Sequence, residues 1–125
     1  MRRLGAALLV LAALCAVSSI VSEEMARING SAESGVEEAM RLAETGNMEK
    51  AVQKLKETAE PWREKRAFLE AFLHHETIEH AEEGFLAAAQ AANISPEVFL
   101  LEAAKLSATL HTLARGDLPE TGNLF

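Results

Sequence analysis

The feature that most constrains this chain is a run of 18 residues without a charged side chain, residues 4–21. The run holds five leucines and two serines, with two arginines before it and two glutamates after it. A helix that crosses the hydrocarbon core of a bilayer needs roughly 17–25 residues. The run therefore predicts either a membrane-spanning anchor or the apolar region of a secretory signal.

Both fates of this segment remain open. An uncleaved anchor would leave a single-pass protein in the cell membrane, whereas cleavage near Ala16-Val17-Ser18 would release a secreted protein. Arginines stay on the cytoplasmic side, so in either case the rest of the chain lies outside the cytoplasm. We therefore predict a signal-anchor or transmembrane segment over residues 1–22 and an extracytoplasmic domain over residues 23–125. Cys15 suggests a lipoprotein signal, but Leu14 stands where that signal requires a small residue.

The charge of the predicted exported domain differs from that of the whole chain. All 19 acidic residues but only 10 of the 12 basic ones lie in residues 23–125, so its net charge is −9 rather than −7. A strongly acidic domain disfavours nucleic acid as a partner. It also argues against a second membrane contact on anionic headgroups. We interpret most of this charge as a solvated surface.

Composition predicts an all-α fold. The chain has 23 alanines, 5% aromatic residues and no tyrosine, a mixture that favours helices over strands. Its single cysteine excludes an internal disulfide framework. Short breaks between helical segments favour antiparallel neighbours, so we expect the first helix to be followed by a small antiparallel helical bundle.

Turn and capping signals predict four helical segments after the apolar run. Asn29-Gly30-Ser31 predicts a break, after which Ser34 and Glu37 form a capping box and Gly46 ends the first segment. The second follows Asn47, and Pro61 opens a long third helix over residues 62–92. Residues 93–97 (Asn-Ile-Ser-Pro-Glu) predict the end of this helix and the start of the next one. The last helix then buries positions spaced by four and three, and ends at Gly116: Phe99, Ala103, Leu106, Leu110 and Leu113.

The chemical candidates are histidines. His75 lies near the middle of the predicted long helix, at the edge of its apolar stripe, and Glu79 follows four residues later on the same face. The zincin pattern needs a histidine where Glu79 stands, so a zinc protease is disfavoured. With His111 of the last helix, and Glu82 as a further candidate, His75 and Glu79 could form a metal site. The simpler interpretation is a histidine that is at least half-buried and hydrogen-bonded to Glu79.

The order of several motifs resembles a bacterial family of unknown function, found mostly in spore-forming Gram-positive bacteria. The resemblance spans nearly the whole chain, from the basic and apolar start, through the motif at residues 46–51 (Gly-Asn-Met-Glu-Lys-Ala) and Trp62, to His75-Glu76, His111 and the ending at residues 122–125. The family typically ends in Asn-Ile-Phe, so Leu124 is a departure. The resemblance implies a short, N-terminally membrane-anchored, all-helical protein, and it supplies no activity, cofactor or partner. It also draws attention to His75, His111, Asn123 and Phe125.

These observations predict a non-enzymatic protein. The sequence contains no Gly-x-Ser-x-Gly motif and no glycine-rich phosphate loop. We expect a membrane-anchored extracytoplasmic helical protein that acts through contacts with an unknown protein partner, with no cofactor and no nucleic acid. The alternative is a metal-binding or metal-sensing module that uses His75, Glu79 and His111.

Overall fold

The computed structural model describes residues 2–114, and it confirms the all-α prediction. Five helices follow one another in this part of the chain, which contains no strand. They are α1 (Arg2–Glu44), α2 (Met48–Glu64), α3 (Arg66–Phe72), α4 (His75–Ala91) and α5 (Pro96–Ala114). The predicted end of the last helix at Gly116 and the family-like ending, with Asn123 and Phe125, lie outside the described residues.

Helix α1 is continuous, so the predicted break at residues 29–31 is wrong. The helix also runs without interruption through the predicted boundary between residues 22 and 23. Asparagine and glycine each cost about 1 kcal/mol or less relative to alanine inside a helix. Burying one isoleucine or valine contributes roughly 1.5–3 kcal/mol. Ile28 and Val36 are both buried here, so tertiary packing outweighs the local preference for a turn.

The turn after α1 behaves as predicted. Gly46 adopts a φ of 82°, a left-handed conformation that glycine tolerates without a steric penalty. The N–H of Asn47 then bonds the carbonyl of Leu42 at 2.9 Å, which satisfies one of the free carbonyls at the helix end. The chain reverses here, and α2 returns antiparallel to α1.

The predicted long helix over residues 62–92 is wrong, because it is divided at two places. Pro61 lies inside α2 rather than at a helix start, and α2 ends three residues later at Glu64. A second break follows α3, where Leu73 and His74 take extended backbone conformations. Leu69 and Ile78, both fully buried, are nine residues apart and would lie on opposite sides of one straight helix. The break at residues 73–74 allows both side chains to reach the same core.

The predicted start of the last helix, α5, at Ser95-Pro96 is confirmed. Pro96 is the first residue of the helix, and the hydroxyl oxygen of Ser95 accepts a 3.1 Å hydrogen bond from the N–H of Val98. All five predicted apolar positions of α5 are buried: Phe99, Ala103, Leu106, Leu110 and Leu113.

The helices form an antiparallel bundle around one core. Helix α1 packs against α2 and α5, α4 packs against α5, and α2 also contacts α4. The rings of Trp62 and Phe85 lie 5.9 Å apart in this core. Trp62, Phe85 and Phe99 are buried in the core, whereas Phe72 is 52% exposed.

The alternating chain direction gives the bundle two ends. The end that α1 enters, here called the proximal end, contains Lys65, α3 and the connection at residues 73–74. The opposite, distal end contains the connections at residues 45–47 and 92–95.

Candidate functional site

The apolar half of α1 stands outside the bundle. It is the one helix in residues 2–114 that is long and apolar enough to cross a membrane, and none of its most apolar 18-residue window is buried against protein. Eight large apolar side chains are exposed along it: Leu4, Leu8, Leu9, Val10, Leu11, Leu14, Val17 and Ile20. A core helix of a soluble protein would be covered, and monomeric soluble proteins rarely expose a continuous apolar patch of this extent. A membrane span or a secretory signal has this property.

Two ion pairs of Glu24 lie next to the end of the apolar run, one within α1 and one between α1 and the residue before α3. Glu24 accepts hydrogen bonds from the guanidinium of Arg27, one of them 3.0 Å long, and its Oε1 lies 4.0 Å from the Nζ of Lys65. The Arg27 hydrogen bond is the main reason that the pKa of Glu24 is held below its ordinary value, and partial desolvation opposes the shift. Lys65 immediately precedes α3. The proximal end therefore begins about one helical turn beyond Val21.

The predicted pair of His75 and Glu79 is present, but in a different setting. The Nε2 of His75 lies 2.8 Å from the Oε1 of Glu79. His75 is the first residue of α4 and follows His74 at the N-cap position, rather than lying in the middle of a long helix. Both side chains of the pair are more than half exposed. The expectation of a half-buried histidine at the edge of the apolar stripe is therefore wrong.

His111 has a different partner from the predicted one. Its Nδ1 lies 2.9 Å from the Oε1 of Glu33, and this contact joins α5 to α1 across 78 positions of sequence. Glu82, the further candidate ligand, pairs instead with Arg66. Within residues 2–114 there is no group of three or more histidine, cysteine, aspartate or glutamate side chains that could hold a metal ion. His75, Glu79 and His111 are thus not assembled into one site: His75 pairs with Glu79, and His111 pairs with Glu33.

A groove between α1 and α2 forms a concave surface on the bundle. It has a volume of about 640 Å³. We call it the α1–α2 groove and define it by the buried lining residues Ile28, Ala32, Gly35 and Trp62. Its shape depends on Gly35, because a Cβ at this position would lie 2.2 Å from the Oγ1 of Thr58. The absence of a side chain at Gly35 allows the two helices to approach closely.

A buried hydrogen bond fixes the floor of the groove. The Nε1 of Trp62 donates to the Oδ1 of Asn29 at 3.0 Å, and the Nδ2 of Asn29 donates to the carbonyl of Met25 at 3.0 Å. Both polar ends of the buried amide are therefore satisfied. The sequence gives no sign of this pair, since residues 29–31 match a turn and a glycosylation pattern. Asn29 is fully buried in the folded bundle.

The rim of the groove is charged but balanced. Three basic side chains and three acidic ones line it: Arg27, Lys54 and Lys65, with Glu38, Glu57 and Glu64. The domain around it carries a large negative charge, so this surface is locally neutral in an acidic molecule. Such a surface can offer charge-assisted hydrogen bonds of both signs to a polypeptide.

Comparisons with protein-family models, with curated proteins and with solved structures find no match to this chain. The resemblance to a bacterial family of unknown function therefore stays a prediction.

Proposed function

We propose that this protein is a membrane-attached helical bundle that is presented outside the cytoplasm and acts through contacts with another protein rather than by catalysis. One observation carries the proposal. Helix α1 is a single element whose first half is exposed and apolar, while its second half supplies part of the bundle core. An apolar segment of this length is stabilised when lipid covers it.

The orientation follows from charge. Arg2 and Arg3 precede the apolar run and favour the cytoplasmic side, which directs the bundle outward. Cleavage at residues 16–18 would remove only exposed residues, because the first buried residue of α1 is Ile28. The folded bundle is thus compatible with either fate. We favour the uncleaved anchor, which keeps the protein in the cell membrane as a single-pass protein, over the secreted form.

The α1–α2 groove supports the protein-contact part of the proposal. Its balanced rim is locally neutral, so an acidic partner meets less repulsion there than the domain's charge of −9 would otherwise cause. Buried apolar residues at the floor and charged side chains at the rim also match the usual anatomy of a protein interface.

Fractionation and thiol labelling test the membrane proposal. We expect the full chain to remain in the membrane fraction after a carbonate wash. In a Cys15→Ala background, Lys50→Cys on the exposed surface of α2 should react with an impermeant maleimide in intact cells. Labelling only after permeabilisation would show the opposite orientation, and release of the chain by carbonate would overturn the attachment.

Site-specific crosslinking tests the contact proposal. A photoreactive amino acid at Ser34, an exposed residue that lines the groove, should capture one protein in intact cells. The same group at Lys105, which is exposed on α5, should not. Lys54→Glu should lower the yield at Ser34, because it changes the charge balance of the rim. Equal capture at Ser34 and Lys105 would contradict a role for the groove.

The second candidate function is metal binding, which the 2.8 Å contact between His75 and Glu79 favours. These two side chains could supply an imidazole and a carboxylate to a transition metal, but further ligands would have to come from elsewhere. Elemental analysis of the purified full chain tests this function. The function is rejected if the protein contains no stoichiometric zinc or copper and shows no thermal shift when these metals are added.

A further inference from the structure

The proximal end of the bundle lies beside the point where α1 leaves its apolar run. The 4.0 Å contact between Lys65 Nζ and Glu24 Oε1 sets this position, because Glu24 is only three residues, or about 4.5 Å of helix rise, beyond Val21. Lys65 is the residue that joins α2 to α3. The chain therefore arrives at the end of the apolar run as α3 begins.

Helix α3 continues onward from α2 at this end. The N–H of Lys65 bonds the carbonyl of Pro61 at 3.2 Å, and the N–H of Leu69 bonds the carbonyl of Lys65 at 2.9 Å, so helical hydrogen bonding persists across the junction. The chain reverses only after α3, at the extended residues 73–74, before α4 returns through the bundle. Helix α3 and this reversal thus form the tip of the bundle that is nearest to the apolar run.

Helix α3 has one side buried in the core and an apolar side chain exposed on another side, next to the end of the apolar run. Leu69 is fully buried and attaches α3 to the core. Phe72 is 52% exposed, and its ring centroid lies 5.2 Å from that of Phe68, which is partly buried against the core. Trp62, Phe85 and Phe99 are buried in the core. An exposed phenylalanine next to a membrane span is the kind of side chain that the headgroup region stabilises.

The charge of this segment differs from that of the domain. Residues 63–73 contain three basic and two acidic side chains, whereas residues 23–125 as a whole are strongly acidic. Arg66 is engaged by Glu70 and Glu82, which raises the pKa of its guanidinium. Arg63 and Lys65 are exposed and precede Phe68 by five and three residues. Lys65 faces Glu24, and Arg66 pairs with Glu70 and Glu82, so the charges at this end are nearly balanced and anionic lipid is less disfavoured here than by the domain as a whole.

We infer that α3 lies in the headgroup region of the same bilayer that α1 spans, with Phe72 against the lipid and Arg63 and Lys65 near the phosphates. The position of the exposed Phe72 beside the end of the apolar run is the juxtaposition that carries this inference. It rests on the proposed function, because it requires α1 to be in a membrane. The protein would then contact lipid at two places, one spanning and one interfacial.

Depth-dependent fluorescence quenching in vesicles tests the inference. The full chain, with Cys15→Ala, is reconstituted in phosphatidylcholine and phosphatidylglycerol vesicles that contain spin-labelled lipids. A polarity-sensitive fluorophore is attached to one cysteine at a time. Phe72→Cys reports on α3, and Leu101→Cys on α5 is the matched control, because its side chain is 56% exposed. Val10→Cys reports on the apolar run itself.

We expect strong quenching and a blue-shifted emission at positions 10 and 72, and neither at position 101. Quenching at position 10 without quenching at position 72 would overturn this inference and leave the membrane anchor standing. Absence of quenching at position 10 would overturn the proposed function as well. Ala71→Cys, which keeps both phenylalanines, gives a second reporter on α3 if Phe72→Cys alters the fold. It must give the same result as position 72 for the inference to stand.

Discussion

The indole N–H of Trp62 donates a 3.0 Å hydrogen bond to the Oδ1 of Asn29, and both side chains are buried between α1 and α2. The two residues are 33 positions apart, so the bond fixes the register in which α2 returns along α1. Because Asn29 also donates to the carbonyl of Met25, a single buried amide links the helix backbone to the neighbouring helix.

Asn29→Ala should destabilise the bundle by about 1–3 kcal/mol, because it leaves the buried indole N–H without an acceptor. Denaturation of the full chain in detergent, followed by circular dichroism, measures the change. Ser31→Ala, at an exposed position of the same helix, is the control and should change the stability little. In a double-mutant cycle with Trp62→Phe, the losses of stability from the two substitutions should not add, because Trp62→Phe removes the indole N–H that Asn29→Ala leaves unpaired. Strict additivity would contradict the coupling.

Gly35→Ala should destabilise the bundle by about 1–3 kcal/mol, because the new methyl group would overlap Thr58 and force α1 and α2 apart. Gly30→Ala is its matched control. A Cβ at Gly30 meets no atom within 4 Å, so this substitution should instead stabilise α1 by roughly 0.5–1 kcal/mol. Thermal unfolding distinguishes the two directions. Thr58→Ala should partly restore the stability of the Gly35→Ala variant, and equal effects at the two glycines would show that the helices do not touch at Gly35.

His111→Ala should lower the free energy of unfolding by about 0.5–1.5 kcal/mol, the range of a typical hydrogen bond, because it removes the contact of α5 with Glu33 on α1. His75→Ala breaks a contact within one helix and should cost about 0.2–0.5 kcal/mol. Neither substitution should change the metal content of the purified protein. Loss of a stoichiometric metal from both variants would instead support the metal-binding alternative.

Acid should weaken the interactions of Glu24, chiefly with Arg27 on the same helix and to a smaller extent with Lys65 at the proximal end. The pKa of Glu24 is lowered in the folded protein, chiefly by the hydrogen bond from Arg27. A carboxylate with a lowered pKa stabilises the fold above its unfolded pKa, and this contribution is lost as the pH falls through the lowered value. Glu24→Gln should therefore lose less stability than the wild type when melting is followed from neutral pH to below about 4.3. Glu37→Gln, on the same helix, is the control, and a Glu24→Gln profile identical to that of the wild type would contradict the prediction.

Local chemistry accounts for the parts of the fold that the sequence predicted well. Gly46 ends α1 and Ser95-Pro96 begins α5, because a left-handed glycine and a serine cap act within one helical turn. The buried positions of α5 follow directly from their spacing. These features depend on neighbours in sequence and not on the rest of the bundle.

The predictions are wrong where the local structure depends on contacts between residues that are distant in sequence. Residues 29–31 match a turn, but Trp62 supplies the partner that makes Asn29 a core residue of a continuous helix. The break at residues 73–74 had a detectable signal, because Leu69 and Ile78 are half a turn out of phase for one straight helix. The pairing of His111 with Glu33 had none, since a contact between residues 78 positions apart depends on how α5 packs against α1.

The continuity of α1 has a mechanical consequence if, as we propose, the protein is attached to a membrane and binds a partner through the groove. At 1.5 Å per residue, its 43 residues form a rod about 65 Å long, and no flexible tether separates the apolar half from the bundle. The lining residues Arg27 to Glu38 then stand at a set height, roughly 10–25 Å above the point where Val21 leaves the lipid. A partner must present its own binding surface at that height, and any tilt or rotation of the rod within the bilayer turns the groove by the same angle.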